Sequence, residues 1–505
     1  MLEKSQAEPT TVAAGAALPR PWAGRAHLAA AALRRHWLAA VLLAAGLVLR
    51  VLAQVAYRPA LFYIDTTRYL YNDAPGMDPL GYKGVLRAIL AVANFNAVAA
   101  VQHLLGLAMA VVLYVLLLRR GCPRWLAALA MAPLLLDAYQ IQIEQTLMPD
   151  TWFEALVVAG LAILLWRPAP GWRMAAAGGL VLGTSAIFAQ VGEALLLPAV
   201  IYLLAVGGGW RRALGRAATV CVAFVLPILA YSAVNYLAAG NFFLSHTGVT
   251  SVYGRMAAAA DCATLRLPQA ERGMCPTRTQ QAKGPDSLEY DQDSPIRPYY
   301  NGLERDRVDS LIADFNHRVL TQQPLRVLHA YLRDVVRPFA LTRDGSPGVT
   351  AISRWQFQTS YPYFPPHASR QVIHSSVDRY GGGRPTVWGP GATFLRGYQL
   401  HGGYTPGPLF ALCVLAGLLG SASLLLCLPR PRAPRPLGGR AGRAVREPAL
   451  ACLLMFTSGA AVLLVSDVFE FSWRYLLPAL VTLVPAGALG IAVVIGAVRA
   501  RRTAG

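Results

Sequence analysis

Three short stretches of this chain combine residue types that can do proton-transfer and anion chemistry. In LFYIDTTRYLYND, Asp65 is followed by Arg68 and Tyr69 at i+3 and i+4, so a helix there puts an acid, a cation and a phenol on one face. The plain alternative is an interfacial ion pair, worth about 1 kcal/mol or less. In YQIQIEQTLMPDTWFEAL, Glu144 and Asp150 lie just ahead of an apolar run. An N-cap accounts for Asp150 but leaves Glu144 unexplained. In SDVFEFSWRYLLPAL, Asp467, Glu470 and Arg474 stand at the start of another apolar run, and Arg50 sits inside the first one. Charges at such positions cost a few kcal/mol each unless paired, so they commonly line cavities.

The elements that carry these residues are set by composition. Of 505 residues, 55% are hydrophobic and 14% charged, against about 25% charged in soluble domains. This excludes an ordinary cytosolic enzyme and calls for lipid as a solvent. Apolar stretches run over 36–57, 97–118, 125–140, 151–166, 174–189, 194–209, 217–238, 406–428, 449–465 and 475–498, which reads as an all-α polytopic bundle of about ten transmembrane helices. A net charge of +20 would suggest nucleic acid in a soluble protein. Its distribution says otherwise. With the N-terminus cytoplasmic, the cytoplasmic segments hold 22 Lys and Arg against Glu3, Glu8 and Glu447, the bias expected of a multi-pass cell-membrane protein with both termini inside. No nucleic-acid partner is expected. Merging the short spans at 125–140 or 174–209 would invert everything after them and break that bias. The small-residue run Ala13–Ala17 precedes the first apolar segment, so that segment is expected to remain as an anchor.

This topology divides the chain into a disordered cytoplasmic tail (1–35), a seven-span module (36–238) with external loops 58–96 and 137–150, an extracytoplasmic domain (239–404), and a three-span module (405–505) with a basic cytoplasmic linker at 429–447. Within 239–404, Val308, Leu311, Ile312, Phe315 and Val319, and then Leu325, Leu328, Leu332, Val335 and Phe339, recur at helical spacing. They predict two amphipathic helices lying against the membrane or the bundle. The Tyr-, Pro- and Gly-rich stretch 344–404 reads as irregular. Cys262 and Cys275 share the external domain and are expected to form a disulfide, two free thiols being the alternative. Cys122, Cys221, Cys413, Cys427 and Cys452 read as packing residues.

In order and sidedness, these features resemble the GT-C superfamily of polyprenyl-phosphate-sugar glycosyltransferases, which includes protein O-mannosyltransferases and bacterial aminoarabinose transferases. The resemblance is carried by Asp65 in FYIDTTRYL, by EQTLMPDTWF ahead of the fourth span, by Arg474, Tyr475 and Pro478 opening a late span, and by Lys83 in DPLGYKG. Many members place a second acid directly after the first; here that position is Thr66.

The resemblance implies a GT-C-like helix bundle that moves a sugar from a polyprenyl-phosphate carrier to an extracytoplasmic acceptor hydroxyl on a glycan, lipid or protein, with inversion. It implies Asp65, Asp150 and Glu144 as catalytic carboxylates, with Asp65 the base that takes the acceptor's proton. Arg68, Lys83, Arg255 and Arg474 become the donor-phosphate ligands, anchoring to lipid headgroups or to a neighbouring carboxylate being the other reading of each. Some members use a divalent metal and others none, so no cofactor is assigned; Asp65, Glu144 and Asp150 are the oxygen ligands a metal would take. Membrane lipids are further partners. A glycan ligase or polymerase with a lipid-linked donor, or a multi-span transporter, are the competing readings. No internal repeat or pair of broken helices favours the transporter.

Overall fold

The structure is a computed structural model that describes residues 31, 33–72, 78–240, 242–245, 247–345, 348–426 and 440–502. In the N-terminal half, the helices that matter are α1 (Trp37–Ala56), α2 (Thr66–Tyr71), α3 (Gly81–Leu90), α4 (Phe95–Arg119), α5 (Arg124–Leu136), α6 (Ala138–Gln145), α7 (Asp150–Leu165), α8 (Trp172–Ala186), α9 (Leu196–Ala205) and α10 (Trp210–Ala239). The loop domain holds α11 (Thr247–Ala259), α12 (Arg305–Gln322), α13 (Pro324–Val336), α14 (Arg370–Tyr380) and α15 (Gly389–Leu400). The chain then forms α16 (Gly407–Leu426), α17 (Arg440–Phe469), a short turn from Trp473 to Leu480, and α18 (Leu483–Arg502).

This is an α-helical membrane protein. All ten apolar stretches contain helix, as they must where no water can satisfy the backbone. Among the described residues, α1, α4, α10, α16 and α17 are each long and apolar enough to cross a bilayer, and seven crossings result if two bent pairs count as one span each. Those pairs are α5 with α6, bent by 51°, and Trp473–Leu480 with Leu483–Arg499, bent by 41°. The other stretches, in α7, α8 and Gln190–Ala205, have 16, 15 and 16 residues. At 1.5 Å per residue these reach about 24 Å, short of a hydrocarbon core of about 30 Å.

Several expected boundaries move. The segment 137–150 is not an exposed loop: α6 fills most of it, and every α6 residue is buried. Asp137 makes the bend. Its Oδ1 accepts the Tyr139 amide at 3.0 Å, its Oδ2 accepts the Thr405 amide at 2.8 Å, and buried Arg343 closes on the same carboxylate at 2.8 Å. Most of the expected tail, 1–30 and 32, lies outside the described residues, as does 427–439, with Cys427 and most of the basic linker; 440–447 belongs to α17. The stretch 344–404, read as irregular, holds α14 and α15. Ser369 caps α14 by accepting the Val372 amide, and Ile373 and Val377 give it one buried face. In α15 the buried positions Ala392, Leu395 and Gln399 keep helical spacing.

The two amphipathic helices take different positions. α12 buries Val308, Ile312, Phe315 and Val319 in a small separate core with Tyr253, Met256, Leu288 and Ile296. The adjoining stretch is closed by a disulfide between Cys262 and Cys275, Cα atoms 5.9 Å apart. α13 turns its leucines outward. A two-residue antiparallel ladder, Tyr57–Arg58 with Thr386–Val387, fastens the end of α1 to the loop domain.

Candidate functional site

The first and second acidic stretches are stitched together by backbone. Leu61 donates to the Gln145 carbonyl and accepts from the Leu147 amide, both at 2.9 Å. Thr66 adds a side-chain link: its hydroxyl accepts the Tyr63 amide at 2.9 Å and donates to the Leu147 carbonyl at 3.0 Å. Thr66, where the sequence resemblance leads one to expect a second acid, is thus a structural pin. Asp65, one residue earlier, starts α2 with its backbone carbonyl, so its carboxylate is left for other work. Asp150 likewise makes no cap bond.

Both carboxylates turn to Arg474. Its Nε donates to Asp150 Oδ1 at 2.6 Å, and its Nη1 stands 3.6 Å from Asp65 Oδ2. Arg68 hydrogen-bonds the other oxygen of Asp65, and its Nη1 lies 3.3 Å from Asp78. The result is an alternating chain, Asp150, Arg474, Asp65, Arg68, Asp78, in which each acid meets a cation before it meets another acid. These five side chains are 12–34% exposed, with Asp78 and Arg68 the more exposed and Asp150, Arg474 and Asp65 largely covered. Arg474 lies over the Trp355 ring at 5.3 Å, and the Trp355 indole donates to Ser472 at 3.0 Å, which fixes the turn carrying Arg474. Burial pushes the Asp78 carboxyl up, with Arg68 pulling against it.

The other sequence candidates lie elsewhere. Glu144 is fully buried in the bundle, gripped by Arg50 through bonds of 2.7 and 2.8 Å and contacted by His103 at 3.0 Å and Gln140 at 3.3 Å. Arg50 also reaches the Leu134 and Leu135 carbonyls at the end of α5. This group secures the break between α5 and α6. Lys83 is buried and donates to the Asn72 carbonyl, tying α3 to the end of α2. Arg255 is buried against Asp334 at 2.5 Å and the Asp467 carbonyl at 2.9 Å, joining the loop domain to the end of α17. The three proposed metal ligands therefore separate, Glu144 going to Arg50 and both aspartates to Arg474. Among the described residues no three His, Cys, Asp or Glu side chains group to hold a metal. Asp65, Glu144 and Asp150 thus do not come together as one three-ligand metal site.

Sequence reasoning missed Asp78, although it stands in the same loop as Asp65, five residues before Lys83. It also missed the loop-domain side of the site. Arg354 donates at 3.2 Å to the hydroxyl of Tyr63, two residues before Asp65, and at 2.9 Å to Asp286. Nothing in the local pattern of either marks it. Beside them, Glu470 accepts from Tyr475 at 3.2 Å and Thr350 at 3.3 Å, and Glu289 accepts from Thr250 and Ser251 at 2.9 Å. Burial, then the Asp286 and Glu289 carboxylates, push Glu470 up to about 8; burial pushes Glu289 up to about 7.

No protein-family model matches the chain, and no curated protein matches it. Among solved structures it is similar to the archaeal oligosaccharyltransferase AglB from Archaeoglobus fulgidus, in complex with an inhibitory peptide and a dolichol-phosphate, at 14% identity and a TM-score of 0.38. The match covers 94% of this chain and 52% of that one, so this chain spans about half the length of that protein.

Two outcomes follow from the geometry. Arg50→Ala leaves Glu144 buried without its main partner and should lower stability by about 3–5 kcal/mol, read by thermal unfolding in detergent; an unchanged midpoint would remove the pair from any structural role. Glu470 holds its proton in the folded state to about pH 8 but loses it near its ordinary 4.5 when unfolded, so the folded state binds the extra proton between these values and stability falls as pH rises. Glu470→Gln should show a stability gain over the parent that grows across that window and then levels off. A gain independent of pH would refute the raised value.

Proposed function

We propose that the chain is a membrane glycosyltransferase moving a sugar from a polyprenyl-phosphate carrier to an acceptor hydroxyl on the extracytoplasmic side, with inversion. The observation that supports this most is the meeting of Asp65, Asp150 and Arg474, from three separate stretches, in one cluster. The reading includes ten crossings with both termini cytoplasmic, the 15- and 16-residue helices crossing where the bilayer thins around them, and this puts these loops outside.

In this mechanism Arg474 and Arg68 hold the donor phosphate. Asp150 orients Arg474, and Asp78 orients Arg68. The acceptor hydroxyl hydrogen-bonds Asp65. Its oxygen attacks the anomeric carbon from the face opposite the phosphate, the carbon–oxygen bond to phosphate breaks, and the hydroxyl proton passes to Asp65. The leaving phosphate needs no acid because two guanidiniums take up its charge. Lys83 and Arg255 act through position, holding α3 and the end of α17.

Asp65→Asn keeps size and hydrogen bonding but removes the base, so turnover with a purified polyprenyl-phosphate sugar should fall by roughly 10² or more, while donor binding survives. Near-normal transfer by Asp65→Asn, with Asp150→Asn inactive, would move the base to the second acidic stretch.

A further inference from the structure

α13 is an amphipathic helix whose apolar side has no protein against it among the described residues. Leu325, Leu328, Leu332 and Val336 are 78%, 49%, 50% and 58% exposed, while Val327 and Asp334, on the opposite side, are buried. At 100° per residue the four fall within a narrow stripe. Arg326 and Arg333 run along one flank, each about half exposed, with Arg337 below them. A helix of 13 residues is about 20 Å long. It is too short to cross a bilayer and suited to lying along one.

Its placement says what covers the stripe. Tyr331 donates to the Leu464 carbonyl of α17 at 3.1 Å, and Asp334 binds Arg255, which holds the Asp467 carbonyl. After α13 the chain reaches α16, where Phe339 stacks on Phe410 at 5.8 Å. α13 is therefore tangent to the bundle at the ends of two spanning helices. Near those ends the two helices expose apolar residues of their own, Leu464, Val465 and Val468 on α17 and Leu409 and Leu412 on α16.

We propose that α13 lies in the bilayer leaflet on the loop-domain side, its leucine stripe among acyl chains and Arg326 and Arg333 at the level of anionic headgroups. It also tethers the chain leading into Arg474: Arg255 and Asp334 hold residue 467, and Arg337 lies over the Phe471 ring at 5.7 Å. The occupant is lipid because the stripe lies beside the ends of two helices long and apolar enough to cross a bilayer, which expose leucines and valines there, and because Arg326 and Arg333 flank it.

The test is photocrosslinking in the full-length protein, reconstituted into vesicles of phosphatidylethanolamine and radiolabelled phosphatidylglycerol. Benzoylphenylalanine replaces Leu328 or Leu332, with exposed Asp314 on α12 as the control. Radiolabel should enter the protein several-fold more at Leu328 and Leu332 than at Asp314. Incorporation no higher than at Asp314, or an adduct to a second copy of the chain, overturns the proposal. If either substitution disturbs folding in the elution profile, Leu325 and Val336 carry the same readout.

Discussion

One guanidinium shared between two carboxylates organises this protein. Arg474 stands at the mouth of the bundle, where a charge without a partner would cost several kcal/mol. Its partners come from stretches some 320 and 410 residues away, so the fold has to deliver them. The backbone pairing of Leu61 with 145–147 delivers Asp65 beside Asp150, and the indole of Trp355 holds the turn that presents Arg474. An arginine suits this place because its planar fork can serve a carboxylate on one edge and keep donors for a phosphate on another.

Deeper in the bundle a second charged group does different work. Arg50 and Glu144 are sealed from solvent and their hydrogen-bonding capacity is spent on each other, on His103, and on the carbonyls where α5 stops. A break in a helix at membrane depth frees backbone groups that lipid cannot satisfy. Arg50 satisfies two of them. The contrast in exposure separates the two groups: the outer one is part exposed, and the inner one supports the α5–α6 break, from which Asp150 follows closely.

Apolar runs and periodicity made the helices legible, because each run has only helix available to it in lipid. That Asp65, Asp150 and Arg474 each need a partner was also legible, since they are charges beside apolar runs. Partner choice was not. Glu144 and Asp150 are six residues apart, yet the bend set by Asp137 sends one inward to Arg50 and leaves the other at the rim. That bend rests on Arg343 and Thr405, both remote in sequence. Asp78, Asp286 and Arg354 were likewise invisible because only tertiary placement gives them roles. The leucines at 325, 328 and 332 showed that α13 is amphipathic, but whether its apolar side met protein or lipid depended on which face Asp334 and Arg255 drew inward.

The most direct measurement of the central claim is binding of a sugar-free polyprenyl phosphate to the purified protein, compared between the parent, Asp65→Asn and Arg474→Gln, with unfolding midpoints as controls. A phosphate held by Arg474 predicts that Arg474→Gln loses affinity by about tenfold or more, the scale of one charge-assisted contact, while Asp65→Asn binds as well as the parent. Equal affinity in Arg474→Gln, in a protein that remains folded, would contradict the account.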